Sequence, residues 1–303
     1  MRFLEIQISA ASELGESILS HFKSNKHELS KDDLTKLVRG HLVYFQNKPV
    51  PFLPFKVFKK GKSQIYLDLD GQNIDSSNIL FEDKWLLVLN KPSGLPSQSS
   101  LKFLQDHAFS AVQCYLRNKK FQSSPPLFLL HRLDTDTSGV LLFSKKASAN
   151  KEIQKQFELR QIKKTYLALS TSDKSPPKKK VIESYLARRG DKEHAFKFAS
   201  VDKNTNGAKR AETKIELLES QSNNHFFKVS PKTGRSHQIR VHLKEEGFSI
   251  LGDPFYEGEK ASHLHLHAWK LSLKHPITGV ELTIEAPIPK HMAQSLDKFN
   301  WSL

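Results

Sequence analysis

An aspartate in a polar turn between two apolar runs is the feature of this chain best suited to chemistry. His131-Arg132-Leu133-Asp134-Thr135-Asp136-Thr137-Ser138-Gly139 separates Leu127-Phe128-Leu129-Leu130 from Val140-Leu141-Leu142-Phe143. Both flanks read as short buried strands, and the Thr/Asp/Ser/Gly cluster is turn chemistry, with Gly139 able to take a positive φ. A carboxylate so placed is held rigidly and can still face a cleft. For an arbitrary turn aspartate the commoner fate is to hydrogen-bond its own turn, so the loop alone does not define a site. A rival signal lies further on, where His263, His265 and His267 alternate along an expected strand. Their imidazoles would share one face, a spacing that suits zinc and points to a metal-dependent hydrolase with His237 or His242 as further ligands. No acidic ligand accompanies them, and strand histidines more often pack or face solvent.

The elements that must position these residues are mostly short strands, expected at 81–90, 127–143, 165–170, 181–188, 194–201, 211–219, 225–230 and 264–285. Two helices interrupt them, one from about Ala149 to Gln161 with Ile153 and Phe157 inward, one from about His237 to Glu246 stopped by Gly247. Strand runs with inserted helices argue for an α+β fold around a mixed or antiparallel sheet, occupying 80–303. Before it, Ser30 and Asp33 make a capping-box start for a helix bearing Leu34, Leu37 and Val38, with Gly40 as its stop. A strand at 41–45 turns at Gln46-Asn47-Lys48, and the polar stretch 68–78 reads as a linker, so 1–75 forms a small separate domain.

Composition bounds the partners. A net charge of +15 and a pI near 9.6 favour polyanions, and basic residues cluster at Lys59-Lys60, Lys145-Lys146, Lys163-Lys164, Lys178-Lys179-Lys180 and Arg188-Arg189. Nucleic acid is the expected partner. An anionic membrane is disfavoured because no helix pairs a basic face with a strongly apolar one. Cys114 is the sole cysteine, which excludes an internal disulfide and any site built on several thiolates. No apolar run reaches the ~18 residues of a membrane span, and Glu5 and Gln7 interrupt the place of a signal peptide. A cytoplasmic protein is expected.

Asn90-Lys91-Pro92-Ser93-Gly94-Leu95-Pro96, the loop His131 to Gly139, Lys164-Thr165-Tyr166-Leu167-Ala168-Leu169 and Ala211-Glu212-Thr213, in that order, resemble motifs of the RluA-type family of RNA pseudouridine synthases. The most specific is Pro231 to Leu243 with Gly252-Asp253-Pro254 and Tyr256, followed by Leu266-His267-Ala268 and His275-Pro276. The likeness spans about 80 to 290 and implies an isomerase that converts uridine in ribosomal or transfer RNA to pseudouridine, with neither metal nor cofactor. It implies Asp134 as the essential aspartate and Tyr166 as the active-site tyrosine. The 1–75 domain resembles a worn form of the helix-and-hairpin RNA-binding module that precedes many family members, with Lys31-Asp32-Asp33 where arginine is usual.

The chemistry assigns further expected roles. A carboxylate in a water-excluding pocket calls for a permanent cation, a part for which the resemblance to the family's signature implies Arg235 first and Arg240 second. Tyr166 can stack on the base and move a proton. A uridine that leaves its stack vacates a space, which Arg132 is placed to fill, and Leu264 or Leu266 packs under the uracil. Lys178, Lys179 and Lys180, after Ser175-Pro176-Pro177, are expected on an exposed loop that meets phosphates. The remaining alternative is an RNA-binding protein of the same fold without activity, which would have no use for Asp134, Tyr166 and Arg235 together.

Overall fold

The computed structural model describes residues 74–98, 107–120, 126–189 and 197–302 and, nearer the N-terminus, 3–8, 12–24, 30, 31, 34, 35, 38, 43–46, 48–50, 56, 57 and 60–66. The chain divides into two compact units, Met1–Ser77 with Pro96–Leu127, and Asn78–Leu95 with Phe128–Leu303.

In the first unit, β1 (Phe3–Ile8), β2 (Ser12–Glu13), β3 (Val43–Phe45), β4 (Lys48–Pro49), β5 (Lys56–Val57) and β6 (Gly61–Tyr66) form a sheet of order β1-β6-β3-β4 and a separate β2-β5 pair. Helix α1 (Leu14–Ser24) buries Leu14, Ile18 and Phe22, four residues apart, against Ile6, Ile8, Val43 and Val50. Leu34 and Val38 join that core, and the Leu34 amide donates to the Ser30 carbonyl at 3.0 Å, in keeping with a helix that starts at Ser30. Asp33, Leu37, Gly40 and most of the expected linker lie outside the described residues. Helix α2 (Ala108–Lys120) buries Ala108, Val112 and Leu116.

The second unit is α+β, built on a twelve-stranded mixed sheet. Its strands are β7 (Ile79–Glu82), β8 (Leu86–Lys91), β9 (Phe128–Leu129), β10 (Ser138–Ser144), β11 (Lys163–Thr171), β12 (Lys179–Arg188), β13 (Phe198–Val201), β14 (Lys209–Gln221), β15 (Asn224–Pro231), β16 (Ser249–Ile250), β17 (Leu266–Lys274) and β18 (Glu281–Glu285). The main path runs β13-β12-β14-β15-β11-β17-β10-β8-β7, and β10 with β17 is the parallel pair in an otherwise antiparallel arrangement. Every residue of β10 is buried, which is why its core reads as an unbroken Val-Leu-Leu-Phe run.

Alternation along β11 explains how the two faces are covered. Tyr166 and Ala168 face the core of α4 (Gln238–Glu246), where Ile239 and Leu243 meet Ile215, Phe227 and Val229. Leu167 and Leu169 face the other way, onto Met292 and Leu296 of α5 (Lys290–Asp297) and Trp301. Helix α3 (Ala147–Glu158) packs Ala149 and Ile153 beside Val140 and Leu142.

Within the expected 127–143 strand region, β9 and β10 flank the irregular loop that carries Asp134, as the two apolar runs on either side of it suggest. Expected strand 264–285 divides likewise into β17 and β18, and β17 begins at Leu266, so His263 and His265 precede it. Lys179 and Lys180 do not project on a loop. They open β12 opposite Glu216 and Ile215.

Candidate active site

The loop from His131 to Gly139 is fastened on several sides. Lys91, at the end of β8, has a fully buried side chain whose ammonium donates to the carbonyls of Thr135 (2.8 Å), Leu95 (2.6 Å) and Pro92 (2.9 Å). Three acceptors match its three N–H donors, so one residue ties the Pro92–Leu95 turn to the loop. Burial pulls its pKa down to about 7, with Asp136 and Asp134 acting in the opposite sense. The Gly94 amide donates to Thr135 O at 3.0 Å, the Ser93 hydroxyl to Asp136 O at 2.7 Å, and the Thr137 amide to Asp134 O at 3.2 Å. Gly139 takes φ +108°, and a Cβ there would stand 2.2 Å from the Ala268 carbonyl oxygen, so the parallel approach of β10 to β17 requires glycine.

Asp134 meets its cation on α4. Arg240 Nη1 is 3.5 Å from Asp134 Oδ2, a contact whose side chains are 2% and 26% exposed respectively. The other edge of the guanidinium is clamped by Asp253, with Nε to Oδ2 and Nη2 to Oδ1 both at 2.7 Å. Phe255 and Tyr256 lie against it at 5.3 and 5.1 Å from their ring centres. Asp253 Oδ1 also accepts the amides of Phe255 and Tyr256. Burial opposes the charge on Arg240, but Asp253 and then Asp134 reverse the effect and move its pKa up. The result is a permanent cation held by a buried carboxylate with its remaining edge offered to a half-buried one. The partner expected first for Asp134 was Arg235, and here the correction is geometric. Arg235 precedes the helix and donates its Nε to the Arg210 carbonyl at 3.0 Å, whereas Arg240, one turn into α4, points at the loop.

Tyr166 is half-buried on β11, and burial followed by the Asp134 charge pushes its phenol pKa up, so it is a neutral hydroxyl at physiological pH. Leu264 and Leu266 are buried in the same apolar cluster that Tyr166 packs against. Arg132 is exposed. Lys179 pairs with Glu216 at 3.1 Å and Lys180 with Glu246 on α4 at 2.5 Å, while the Lys178 carbonyl accepts the Leu217 amide. These lysines are thus partly neutralised within the sheet. Lys145, from another basic pair, is buried and bound to Glu82 at 2.9 Å.

Sequence reasoning gave no individual role to Lys91, Asp253 or Tyr256, and offered His237 only as a further metal ligand. A lysine closing the apolar run Leu86 to Leu89 was the available signal for the first. His237 takes the left-handed conformation (φ 55°, ψ 15°) at the start of α4 and shares a 2.8 Å hydrogen bond with the Tyr256 hydroxyl. Burial lowers its pKa, against the pull of Asp134.

The histidine row does not form a metal site. His267 Nδ1 pairs with the Ser138 hydroxyl at 2.9 Å, and His265 spends both ring nitrogens, on the His263 carbonyl and the Ser295 hydroxyl. His242 is likewise engaged, with Thr213 and Ser184. Among the described residues no cluster of His, Cys, Asp and Glu has the arrangement to hold a metal ion.

A doubly held arginine facing an accessible carboxylate, beside a neutral tyrosine, is an arrangement suited to nucleophilic or proton-transfer chemistry by that carboxylate. Comparison with known proteins specifies the class. The RNA pseudouridylate synthase family pattern matches residues 85–245. The ribosomal large subunit pseudouridine synthase C of Yersinia pestis is 34% identical over 262 residues, covering 80% of this chain and 75% of its own. The protein of the same name from Haemophilus influenzae is 33% identical, covering 82% and 77%. Among solved structures, human RNA pseudouridylate synthase domain containing 4 superposes with a TM-score of 0.63 at 26% identity, over 75% of this chain and 95% of that one. The chain belongs to the RNA pseudouridine synthase family and is an isomerase acting on uridine in RNA. Among the described residues no helix is long and apolar enough to cross a membrane.

Proposed function

We propose that the protein isomerises uridine in large-subunit ribosomal RNA, with Asp134 as the catalytic residue. The observation that carries this reading is the Asp253–Arg240–Asp134 chain, which presents one carboxylate to solvent on a fixed mount. Isomerisation breaks the bond from N1 of uracil to C1′ of ribose, turns the base and joins C5 to C1′. The C5 hydrogen leaves as a proton and N1 gains one, so no external oxidant or reductant takes part. Positive charge builds on the sugar as N1 departs. Asp134 answers it either by bonding to C1′ or by taking a proton from C2′, two routes that use the same carboxylate. Uracil departs as a delocalised anion whose carbonyl oxygens accept hydrogen bonds, so a second carboxylate for the leaving group is unnecessary.

Arg240 keeps Asp134 ionised and oriented when RNA excludes water from the cleft, which its rigid fork does better than a lysine would. Tyr166 stacks on the base and, as a neutral hydroxyl, relays a proton at C2′ or C5. Arg132 fills the space left by the extruded nucleotide, and Leu266 supports the uracil. Residues 80–303 carry the reaction in this reading, and the 1–75 module adds contacts to RNA. Ribosomal RNA is favoured over transfer RNA because the relatives from Yersinia pestis and Haemophilus influenzae are named for the large ribosomal subunit. Such work would take place in the cytoplasm.

The test is a map of pseudouridines in total RNA from cells with and without the protein. One or a few positions lost from large-subunit ribosomal RNA support the reading. Loss confined to transfer RNA reassigns the substrate, and an unchanged map contradicts it.

A further inference from the structure

Beside the carboxylate site stand two cations without a counter-charge among the described residues. Lys164, two residues before Tyr166 in β11, extends its ammonium to the Thr233 carbonyl at 3.1 Å. It passes Gly234 so closely that a Cβ there would be 3.3 Å from Nζ. That single bond occupies one of its three donors. Arg235 spends Nε on the Arg210 carbonyl at 3.0 Å, which leaves its two terminal nitrogens for something else. Neither residue lies within ion-pair distance of a carboxylate among the described residues.

The immediate surroundings make this notable. Arg210 is paired with Glu183 and Glu212 at 2.8 and 2.9 Å, and Lys232 with Glu212 at 3.0 Å. The protein therefore neutralises the adjacent cations and omits these two. Both are half-buried, where unpaired like charges are costly. Burial, then the charge of Arg235, holds the Lys164 pKa down to about 8, the sign of an ammonium that lacks an anion. An anion between them would relieve that penalty, and an arginine fork beside a lysine point charge suits tetrahedral phosphate oxygens.

Both stand on the elements that bear the site: Lys164 is two residues before Tyr166 in β11, and Arg235 stands at the entry to α4, whose Arg240 meets Asp134. An extruded nucleotide brings a phosphodiester on each side of its ribose into just this neighbourhood. We propose that Lys164 and Arg235 grip one phosphodiester flanking the target uridine and thereby set the height of its C1′ over Asp134. This assignment rests on the functional reading above and gives Arg235 a substrate-positioning role that does not involve Asp134.

The experiment compares wild type, Lys164→Met and Arg235→Gln on a ribosomal RNA fragment that carries the target uridine. The RNA is made normal or with one uncharged methylphosphonate, placed 5′ or 3′ of that uridine. In wild type, one of the two neutral linkages should raise KM about tenfold, the equivalent of ~1.4 kcal/mol. Each variant should show a similar loss on normal RNA and little further loss on the neutral linkage. The slope of log K against log salt should fall by ~0.7–0.9 in each variant. If variant and methylphosphonate losses multiply at both positions, the assignment is overturned. Inorganic phosphate that changes wild-type turnover equally on charged and neutral linkages would identify a free-anion site and would also overturn it. Arg235→Gln keeps the comparison interpretable should Lys164→Met fold poorly. Failure of wild type to form any pseudouridine would count against the functional reading itself, an outcome distinct from multiplying losses at full activity.

Discussion

Replacing Arg240 separates what its charge does from what its shape does. At 3.5 Å, a unit charge pair in a medium of effective dielectric ~20 interacts by ~5 kcal/mol. Asp134 is 26% exposed in the free protein, so solvent screens part of this, and about 2–4 kcal/mol is a reasonable share once RNA has covered the cleft. At ~1.4 kcal/mol per decade, Arg240→Met should slow single-turnover isomerisation by ~30- to 1,000-fold. The same variant strands Asp253, whose side chain is 0% exposed, and should lose ~3–5 kcal/mol of stability. Arg240→Lys retains the charge but cannot reach both carboxylates. It should recover most of the stability while remaining about tenfold slow. The assay is tritium release from RNA labelled at C5 of uridine, since that hydrogen departs when C5 bonds C1′, read beside thermal melts. Wild-type rates in Arg240→Lys would show that the fork is irrelevant. Wild-type rates in a folded Arg240→Met would refute the ion-pair argument altogether.

Tyr166→Phe keeps the ring and removes the hydroxyl, so kcat should fall while KM changes little, and an unchanged kcat would reduce Tyr166 to packing. Lys179→Ala with Lys180→Ala should lower RNA affinity by a few-fold at most in a salt titration, because each lysine already meets a glutamate, and a large drop would show that RNA displaces those pairs. Acid should weaken the fold through His267. Burial holds its pKa down to about 4 in the native state, so below about 6.5 the unfolded chain binds a proton that the native chain does not. Its contribution is intact above about pH 6.5 and is lost progressively toward pH 4, up to roughly 3 kcal/mol. Denaturant melts from pH 7 to 4 should show this slope, and His267→Asn, which can keep the bond to Ser138, should flatten it.

The strands and the helix around Asp134 were legible because they rest on local signals, whereas Asp134 and Tyr166 themselves were singled out by resemblance to family motifs. Val140 to Phe143 reads as a central strand from its unbroken apolar run, and the expected 237–246 helix begins one residue later and ends at Gly247 as anticipated. Sequence ranked Arg235 above Arg240 as the partner of Asp134, and the structure reverses that order. Both are arginines in one motif, and only the left-handed turn at His237 decides which one α4 swings toward the loop. The misplacement of Lys179 and Lys180 has a similar origin. Ser175-Pro176-Pro177 ends the preceding loop, but the strand resumes at once because Val181 and Ile182 continue a β-branched run. Helix α1 carries its Leu14, Ile18, Phe22 period openly and was available to inspection, whereas α2 hides a small alanine-rich face in a polar segment. The role of Lys91 needed the fold, since its three carbonyl partners are 1, 4 and 44 residues away.

The central claim is that Asp134, and not a metal or a second carboxylate, performs the isomerisation. The direct measurement is tritium release by purified wild type and Asp134→Asn at saturating RNA, with binding of the same RNA measured in parallel. Asparagine keeps size and hydrogen bonding but neither bonds C1′ nor accepts the C2′ proton. The account predicts no detectable release and affinity within a few-fold of wild type, because phosphate contacts supply most of the binding. Release at the wild-type rate from Asp134→Asn would contradict it.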